Sequence, residues 1–246
     1  MHRFFIQQEN IGGDEIVLDG DNAAHVAVLR LRIGEEIVAA VSGGGQDYHA
    51  VVDSLSKNKV TAKITGIMKN ISEMPIDITL FQALPKGNKM GEIIEHVVEL
   101  GINNIVPIAT ARCVTGAEGK TARWQKIAES AAKLSHRGRI PHINGILTLK
   151  EALASAKSFD AVFACYELEK TKYLAQYLQN LDMSKIKAMA FFIGPEGGFA
   201  SEEIALFEQS SIPALSLGNR ILRTQSAAAM VMASINFHLQ TKEANV

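Results

Sequence analysis

The feature that most limits the fold is the alternation, from Ile76 onward, of apolar strand-like runs with amphipathic helical stretches. Short apolar runs between turn residues are typical of strands buried on both faces, and helical stretches between them are the usual crossovers of a parallel sheet. We therefore predict a C-terminal α/β domain whose mostly parallel sheet is covered by helices. The predicted strands are Ile76–Gln82, Ile102–Ala109, Ala161–Cys165, Ala188–Ile193 and Ala214–Leu217, and the predicted helices are Met90–Leu100, Ala122–Leu134, Leu149–Ala156, Thr171–Leu178, Ser201–Gln209 and Thr224–His238.

The N-terminal part has a different pattern, in which short β-rich runs alternate with turn residues. The runs Glu35–Val41, Tyr48–Val52 and Val60–Ile67 are separated by Ser42-Gly43-Gly44-Gly45 and by Lys57-Asn58. This pattern predicts a small antiparallel sheet or barrel. We place the boundary near Ile71, which gives a β-barrel domain over 1–70 and an α/β domain over 71–246.

Composition restricts where the protein acts and what it binds. The apolar fraction is 47% and the charged fraction 21%, and the chain has neither a membrane-length apolar run nor a signal-peptide pattern at Met1–Ile6. Cys113 and Cys165 stand alone, so we expect no disulfide and no zinc site, and a cytoplasmic location. Because the net charge is −1, any contact with nucleic acid must be local rather than general.

A glycine-rich loop, Gly194-Pro195-Glu196-Gly197-Gly198, follows the predicted strand Ala188–Ile193. Such loops bind ligands in open parallel sheets, although a tight strand-to-helix connection has the same appearance. The loop lacks the lysine and hydroxyl of a phosphate-binding loop, and Glu196, Glu202 and Glu203 are expected to repel phosphate from the next helix. We therefore predict a neutral or cationic ligand, such as S-adenosylmethionine, and expect a branched side chain at Gly197 to fill the ligand's space.

A second loop leads from the last predicted strand into the terminal helix. It contains Arg220 and Arg223 close to Gly218. Two arginines in such a loop suit the recognition of a phosphate or of negative charge that develops on a base. The alternative, a pair of surface salt bridges, is less favoured because the apolar Ile221 and Leu222 lie between them.

Taken together, these segments resemble the bacterial 16S ribosomal RNA (uracil-N3) methyltransferases of the SPOUT, or trefoil-knot, class over nearly the whole chain. The glycine loop and the arginine loop, in this order and spacing, are the most specific parts of the resemblance. The matching segments are Arg3-Phe4-Phe5, His25 with Val28-Leu29-Arg30 and Gly34, Gln82-Ala83-Leu84-Pro85-Lys86-Gly87 with Met90, Glu99-Leu100-Gly101, Arg112-Cys113, Arg123-Trp124, Gly194-Pro195-Glu196-Gly197-Gly198, and Leu217-Gly218 with Arg220-Ile221-Leu222-Arg223-Thr224.

The resemblance implies a PUA-like, OB-type barrel that binds RNA, a knotted α/β domain that binds S-adenosylmethionine, and a homodimer formed through the C-terminal domain. It also implies that the substrate is 16S RNA of the small ribosomal subunit, modified at the uridine conventionally numbered 1498. The cofactor-binding residues implied are Cys165, Tyr166, Gly194, Pro195, Gly197, Gly198, Leu215, Leu217, Gly218, Ile221 and Leu222. Where the resemblance coincides with local groups of basic residues, we expect RNA binding. The expected RNA-binding residues are Arg3, Arg30, Arg32, Lys86, Arg137 and Arg220.

Methylation of uracil N3 requires loss of its proton, because a neutral imide nitrogen is a poor nucleophile. We expect Arg223, which cannot act as a base, either to stabilise the negative charge that then spreads over the base or to hold a neighbouring phosphate. Glu196, a histidine such as His136, or water is the candidate proton acceptor, and the sequence does not choose among them. No metal is needed for this chemistry.

The chain departs from the family pattern at several positions. Asn219 and Gln225 stand where the family usually has proline and an acidic residue, Asn88 and His96 replace a customary aspartate and lysine, and Lys133-Leu134-Ser135-His136-Arg137 replaces Glu-Gln-Ser-Gly-Arg. An alternative hypothesis is therefore a catalytically impaired RNA-binding or ribosome-assembly factor on the same fold. A nucleotide-dependent enzyme on an ordinary Rossmann-type sheet is disfavoured by the missing phosphate motifs.

Overall fold

The structure is a computed structural model that describes residues 1–113 and 119–243. The chain forms two compact units, each with its own sheet. The first consists of Met1–Glu73 and Ala132–Ile140, and the second of Met74–Ala131 and the chain from Pro141 onward. The first unit thus includes a segment that the boundary near Ile71 assigns to the C-terminal domain, and hydrogen bonds from Arg137 and Gly138 to Glu73 hold it there.

The first unit contains a six-stranded sheet in the order β1-β4-β5-β6-β3-β2. Its strands pair antiparallel except for β1 and β4, which are parallel. The buried faces of the sheet and one helix enclose a core of small and branched apolar side chains. Its elements are β1 His2–Ile6, β2 Ile11–Gly12, β3 Glu15–Asp19, α1 Gly20–Leu29, β4 Glu36–Val41, β5 Gln46–Leu55 and β6 Lys59–Lys69.

The second unit contains a seven-stranded sheet in which every pairing is parallel. The order is β10-β8-β7-β12-β11-β13, with β9 paired to β8. Its strands and helices are β7 Asp77–Ala83, α2 Lys89–Glu99, β8 Asn104–Ala109, α3 Thr121–Leu134 (whose last residues belong to the first unit), β9 His142–Ile143, β10 Leu147–Thr148, α4 Leu149–Ser155, β11 Ala161–Cys165, α5 Leu174–Asn180, β12 Ala188–Ile193, α6 Ser201–Gln209, β13 Ala214–Leu215 and α7 Thr224–Glu243.

The predicted fold class, a small β domain followed by a parallel α/β domain, is confirmed. The predicted bounds of β11, β12 and α6 coincide with those observed. The sequence-based assignment missed β1, β3 and α1. The helix α1 buries only Ala23 and Val26, so its apolar pattern is too sparse to predict a helix.

The start of the helix α5 and the end of the strand β13 differ from the predicted bounds. The helix α5 begins at Leu174 rather than Thr171, because Glu169 accepts hydrogen bonds from the backbone N–H groups of Thr171 and Lys172 and from the Thr171 hydroxyl. These bonds lower the pKa of Glu169 to about 2. The strand β13 ends at Leu215 rather than Leu217, because Ser216 forms an isolated parallel bridge with Tyr173.

Aromatic side chains of the second unit hold the segment that follows β12. The rings of Phe81 and Phe192 stack with centroids 4.4 Å apart on neighbouring strands. Phe207 of α6 meets both Phe192 and Phe199 edge-on, each at 5.0 Å. Because Phe199 is 1% exposed, the chain is fixed immediately after the glycine loop.

Within the described residues, no helix combines the length and the apolar character needed to cross a membrane. The same residues include no group of three or more histidine, cysteine, aspartate or glutamate side chains arranged to hold a metal ion.

Candidate active site

A cleft of about 460 Å³ lies where β12, β11 and β13 end in the second unit. The strand β11 pairs with both of the others, so the carboxyl ends of all three strands are neighbours. Ligands of open parallel sheets bind at such ends. Three segments form the walls: the residues after β11, the glycine loop after β12, and the arginine loop 216–223 after β13.

The glycine loop is a tight turn with its backbone exposed to the cleft. The Gly198 N–H donates to the Pro195 carbonyl over 2.9 Å, and Gly198 has a φ of +67°. A Cβ atom added to Gly194 would lie 3.3 Å from the Gly198 backbone. The loop therefore requires small residues for its own conformation, whether or not a ligand is bound.

Three side chains from distant parts of the chain bind the glycine loop. The Thr224 hydroxyl donates to the Gly194 carbonyl over 2.9 Å, and the Arg112 guanidinium donates to the Gly197 carbonyl over 2.5 Å. Between these two points, the Glu196 carboxylate accepts from the Lys89 ammonium at 2.6 Å. The loop is thus held at its start, its middle and its end.

Glu196 accepts more hydrogen bonds than its predicted role as a proton acceptor requires. Besides Lys89, it accepts from the Lys86 backbone N–H at 3.1 and 3.2 Å. Burial raises the pKa of Glu196, but the hydrogen bond from Lys89 and the backbone N–H groups outweigh it, so the pKa lies below its ordinary value. A carboxylate of lowered pKa is a weak base. These contacts favour a role in positioning the loop and Lys89 over the predicted role as proton acceptor.

The acidic residues at the start of α6 also differ from expectation. Glu203 is 7% exposed, and its carboxylate accepts from the Ala200 and Ala111 backbone N–H groups at 2.8 Å each. Glu202 in the same turn is exposed. The helix start is closed to phosphate because Glu203 occupies an N–H group there, rather than because it repels an anion in the cleft.

The arginine loop is bonded to the segment after β11. Tyr166 donates its backbone N–H to the Leu215 carbonyl at 3.0 Å, and Ser216 donates to Lys172 at 2.7 Å. Beyond these bonds, Arg220 and Arg223 are exposed at the cleft, and their guanidinium groups have no hydrogen-bond or ion-pair partner among the described residues. Two free arginines are therefore available to an anionic group.

Glu167 is a cleft residue that the sequence analysis missed. A Cβ atom on Gly198 would lie 2.0 Å from a carboxylate oxygen of Glu167, so this carboxylate covers the glycine. It accepts no hydrogen bond from the part of the chain that the structure describes. At Gly197, by contrast, a Cβ atom would meet the Arg112 side chain at 3.3 Å. A Cβ atom at Gly198 thus meets a side chain of the cleft, whereas a Cβ atom at Gly197 meets Arg112.

Residues 72–236 of the chain match the family described as "RNA methyltransferase domain". The chain belongs to this family. Residues 18–65 match the family described as "RNA methyltransferase PUA domain". Proteins named "Ribosomal RNA small subunit methyltransferase E" are 28% identical in Bacillus subtilis, over 98% of both chains, and 31% identical in Synechocystis, over 87% of this chain and 70% of the relative.

Two solved structures have the same fold as this RNA methyltransferase family member. A ribosomal RNA small subunit methyltransferase E from Neisseria gonorrhoeae, bound to S-adenosyl methionine, is 30% identical with a TM-score of 0.86, covering 96% of this chain and 97% of the other. A putative methyltransferase from Legionella pneumophila, in complex with the cofactor SAM, is 27% identical with a TM-score of 0.83, covering 96% of each chain.

The cleft brings together all the residues predicted to bind the cofactor except Leu215, a buried β13 residue directly before the cleft. Cys165 is buried, and this burial raises the pKa of its thiol, so its contribution is packing rather than nucleophilic chemistry. Lys89, Glu167, Lys170 and Thr224 also line the cleft but were not predicted. Of these, Lys89 has a signal in the sequence, because it lies three residues after Lys86 and forms a local basic group with it.

Two of the predicted RNA-binding residues are interior residues of the first unit. Arg3 is 5% exposed and donates to both carboxylate oxygens of Asp47, at 2.8 and 2.5 Å. Arg137 is 2% exposed and donates to both oxygens of Glu73, at 2.8 and 2.6 Å. We correct their assignment, because buried bidentate pairs are not free to bind phosphate.

The remaining predicted RNA-binding residues are on the surface. Arg30 ends α1 in a left-handed conformation with φ of 56°, and both it and Arg32 are exposed without a partner among the described residues. The neighbouring Val28 and Ile33 are 77% and 65% exposed. In the second unit, Lys86 is exposed next to the glycine loop and Arg220 lies at the cleft.

Replacing Glu203 tests whether its carboxylate fixes the structure around the glycine loop. We expect Glu203→Ala to lower the free energy of unfolding by about 2 kcal/mol, because two backbone N–H groups lose a charged acceptor. Glu202→Ala, in the same helical turn but exposed, should change it by less than about 0.5 kcal/mol. Urea unfolding measures both. Equal effects of the two substitutions would contradict the assigned role of Glu203.

Proposed function

We propose that this chain transfers the methyl group of S-adenosylmethionine to N3 of uracil in 16S ribosomal RNA of the small subunit, at the uridine conventionally numbered 1498. The observation that carries the proposal is the cleft at the ends of β12, β11 and β13, in a chain 30% identical to a small subunit methyltransferase E bound to S-adenosyl methionine. The relatives named for small subunit RNA support the choice of substrate.

The residues of the cleft fit S-adenosylmethionine. Its volume, about 460 Å³, lies in the range of small-molecule sites. Four glycines in its walls leave backbone N–H and C=O groups open to an adenine, and the uncommitted Glu167 carboxylate suits ribose hydroxyls or an ammonium. The start of α6 is capped by Glu203, so the site is not built for a nucleotide phosphate.

In the proposed reaction the bound cofactor supplies an electrophilic methyl group. Arg223 and Arg220, both unpaired at the cleft, hold the target nucleotide and stabilise the negative charge on the uracil oxygens when N3 loses its proton to water. Lys89 also lines the cleft, but its ammonium is paired with Glu196, so the free positive charge comes from the two arginines. The cations lower the cost of forming the anionic nucleophile.

RNA affinity is proposed to depend on the first unit as well. Arg30 and Arg32 are exposed, unpaired and accompanied by two exposed apolar side chains, Val28 and Ile33. Cations bind phosphates, and apolar groups stack on or pack against unpaired bases. Because the chain has a net charge of −1, such local groups must provide the attraction.

We further propose a homodimer formed through α7, acting in the cytoplasm, where small subunits are assembled. The helices α5 and α7 border an apolar groove of about 630 Å³ in which Phe237 is 69% and Met230 38% exposed. Exposed apolar side chains around a groove are typical of an interface.

The deciding experiment is mass spectrometry of 16S RNA from cells lacking the protein, followed by methyl transfer from S-adenosylmethionine to isolated small subunits. The proposal requires that one methyl group on one uridine is lost and that the purified protein restores it. Cofactor binding without any methyl transfer would instead favour the catalytically impaired assembly factor.

The cofactor site is tested by Gly198→Ala, with Gly45→Ala as its matched control. Both glycines have a positive φ, +67° and +71°, but only at Gly198 would the new methyl group displace a cleft side chain, Glu167. We expect both variants to lose about 1 kcal/mol of stability from the left-handed backbone. Calorimetry should show about tenfold weaker S-adenosylmethionine binding for Gly198→Ala alone. Equal affinity in both variants would remove this part of the loop from the site.

The division of labour between the units is tested by two changes. Arg223→Ala should lower the methyl-transfer rate about 100-fold and RNA affinity less, since its role is in the transition state. Arg30→Glu with Arg32→Glu should weaken RNA binding and reduce its salt slope by about 2, with cofactor affinity unchanged. Lys57→Glu with Lys59→Glu makes the same charge change elsewhere in the first unit. If this control matched the arginine variant, the proposed RNA surface would be wrong.

The dimer is tested by light scattering at micromolar concentration. We expect the mass of a dimer for the natural chain and of a monomer for Phe237→Glu, because a buried unpaired carboxylate is costly at an apolar interface. Val28→Glu, which changes another exposed apolar residue, should remain dimeric. A monomeric natural chain would refute this part of the proposal.

A further inference from the structure

A series of buried hydrogen bonds beneath the cleft connects three segments that are far apart in the sequence. The side-chain amide of Gln82, at the end of β7, donates to the Thr224 hydroxyl at 3.0 Å, and that hydroxyl donates to the Gly194 carbonyl at 2.9 Å. Gln82 is 0% and Thr224 5% exposed. The order of donors is fixed, because the carbonyl of Gly194 can only accept and the amide nitrogen can only donate.

The environment of Gln82 indicates that these hydrogen bonds carry an energetic cost. Its amide nitrogen also donates to the Ala83 carbonyl at 2.9 Å, so both of its N–H groups are used. Its carbonyl oxygen is buried and has no hydrogen-bond partner among the described residues. Burying an unpaired acceptor is unfavourable, and an apolar side chain of similar size avoids it. A glutamine here is thus explained by its donors rather than by packing.

Thr224 is also the first residue of α7, directly after Arg223. The Arg223 carbonyl accepts the Ala227 N–H at 2.8 Å, so the backbone of Arg223 is fixed to this helix start. The Thr224 hydroxyl in turn attaches the helix start to the first residue of the glycine loop. The Thr224 hydroxyl is therefore a direct link between the residue that follows Arg223 and the glycine loop.

We propose that Thr224 and Gln82 are positioning residues that align Arg223 with the glycine loop. The inference rests on the proposed function, since it assigns Arg223 a role in methyl transfer. The glycine loop keeps two other attachments, Arg112 at Gly197 and Glu196 at Lys89. Loss of the Thr224 hydroxyl therefore affects the placement of the arginine more than the shape of the cofactor loop.

The test uses Thr224→Val, which keeps the shape of the side chain and removes the hydroxyl, and Thr224→Ser, which keeps the hydroxyl. We expect kcat for methyl transfer to small subunits to fall about tenfold in Thr224→Val and to recover in Thr224→Ser. Cofactor affinity by calorimetry should change less than about threefold. Gln82→Met, which removes the donor at nearly equal volume, should reproduce the loss of kcat in part.

Two controls separate positioning from stability. Thr148→Val removes the hydroxyl that caps α4, a helix that does not line the cleft. This variant should lower the melting temperature without changing kcat. In an Arg223→Ala background, Thr224→Val should lower the residual rate by less than about twofold, because a residue that acts through Arg223 has nothing left to align. Unchanged kcat in folded Thr224→Val, a full tenfold further loss in the Arg223→Ala background, or failure of Thr224→Ser to recover would overturn the inference. Absence of methyl transfer by the natural chain would instead refute the proposed function.

Discussion

The pairing of β11 with both β12 and β13 is the constraint on which the site depends. It brings the ends of three parallel strands together, although the strands are separated by helices along the chain. Each strand then continues into one wall of the cleft. Because backbone hydrogen bonds set the register of all three strands, the points at which the walls begin are fixed by the sheet.

Side chains complete the site by restraining a loop that has little bulk of its own. Glycines let a ligand approach the backbone, but they also permit many conformations. Thr224, Glu196 and Arg112 offset this freedom by binding the loop at successive points. Buried Glu203 accepts from Ala111, next to Arg112, and so fixes the origin of one of these contacts. The conformation of the loop therefore depends on side chains from other parts of the chain.

The charged side chains fall into two groups, those paired inside the protein and those free at its surface. The carboxylates of Asp47, Glu73 and Glu196 are each paired with a cation, which holds the pKa of each below its ordinary value despite burial. Arg3 and Arg137 are thereby used inside the first unit. Exposed arginines without a partner among the described residues include Arg30, Arg32, Arg220 and Arg223, and these are available to an anionic polymer. A chain of nearly zero net charge can bind RNA in this way only at selected places.

The sequence by itself determined the layers of the fold, the bounds of β11, β12 and α6, and two of the three segments that form the cleft, because hydrophobic period and glycine content are local properties. Only the tertiary structure decided which charged residues are free. Arg3 and Arg30 look alike in the sequence, yet one is buried against Asp47 and the other is exposed. The capping role of Glu203, the position of Glu167 over Gly198 and the bonds joining Gln82, Thr224 and Gly194 were likewise hidden, because they connect residues that the chain alone keeps far apart.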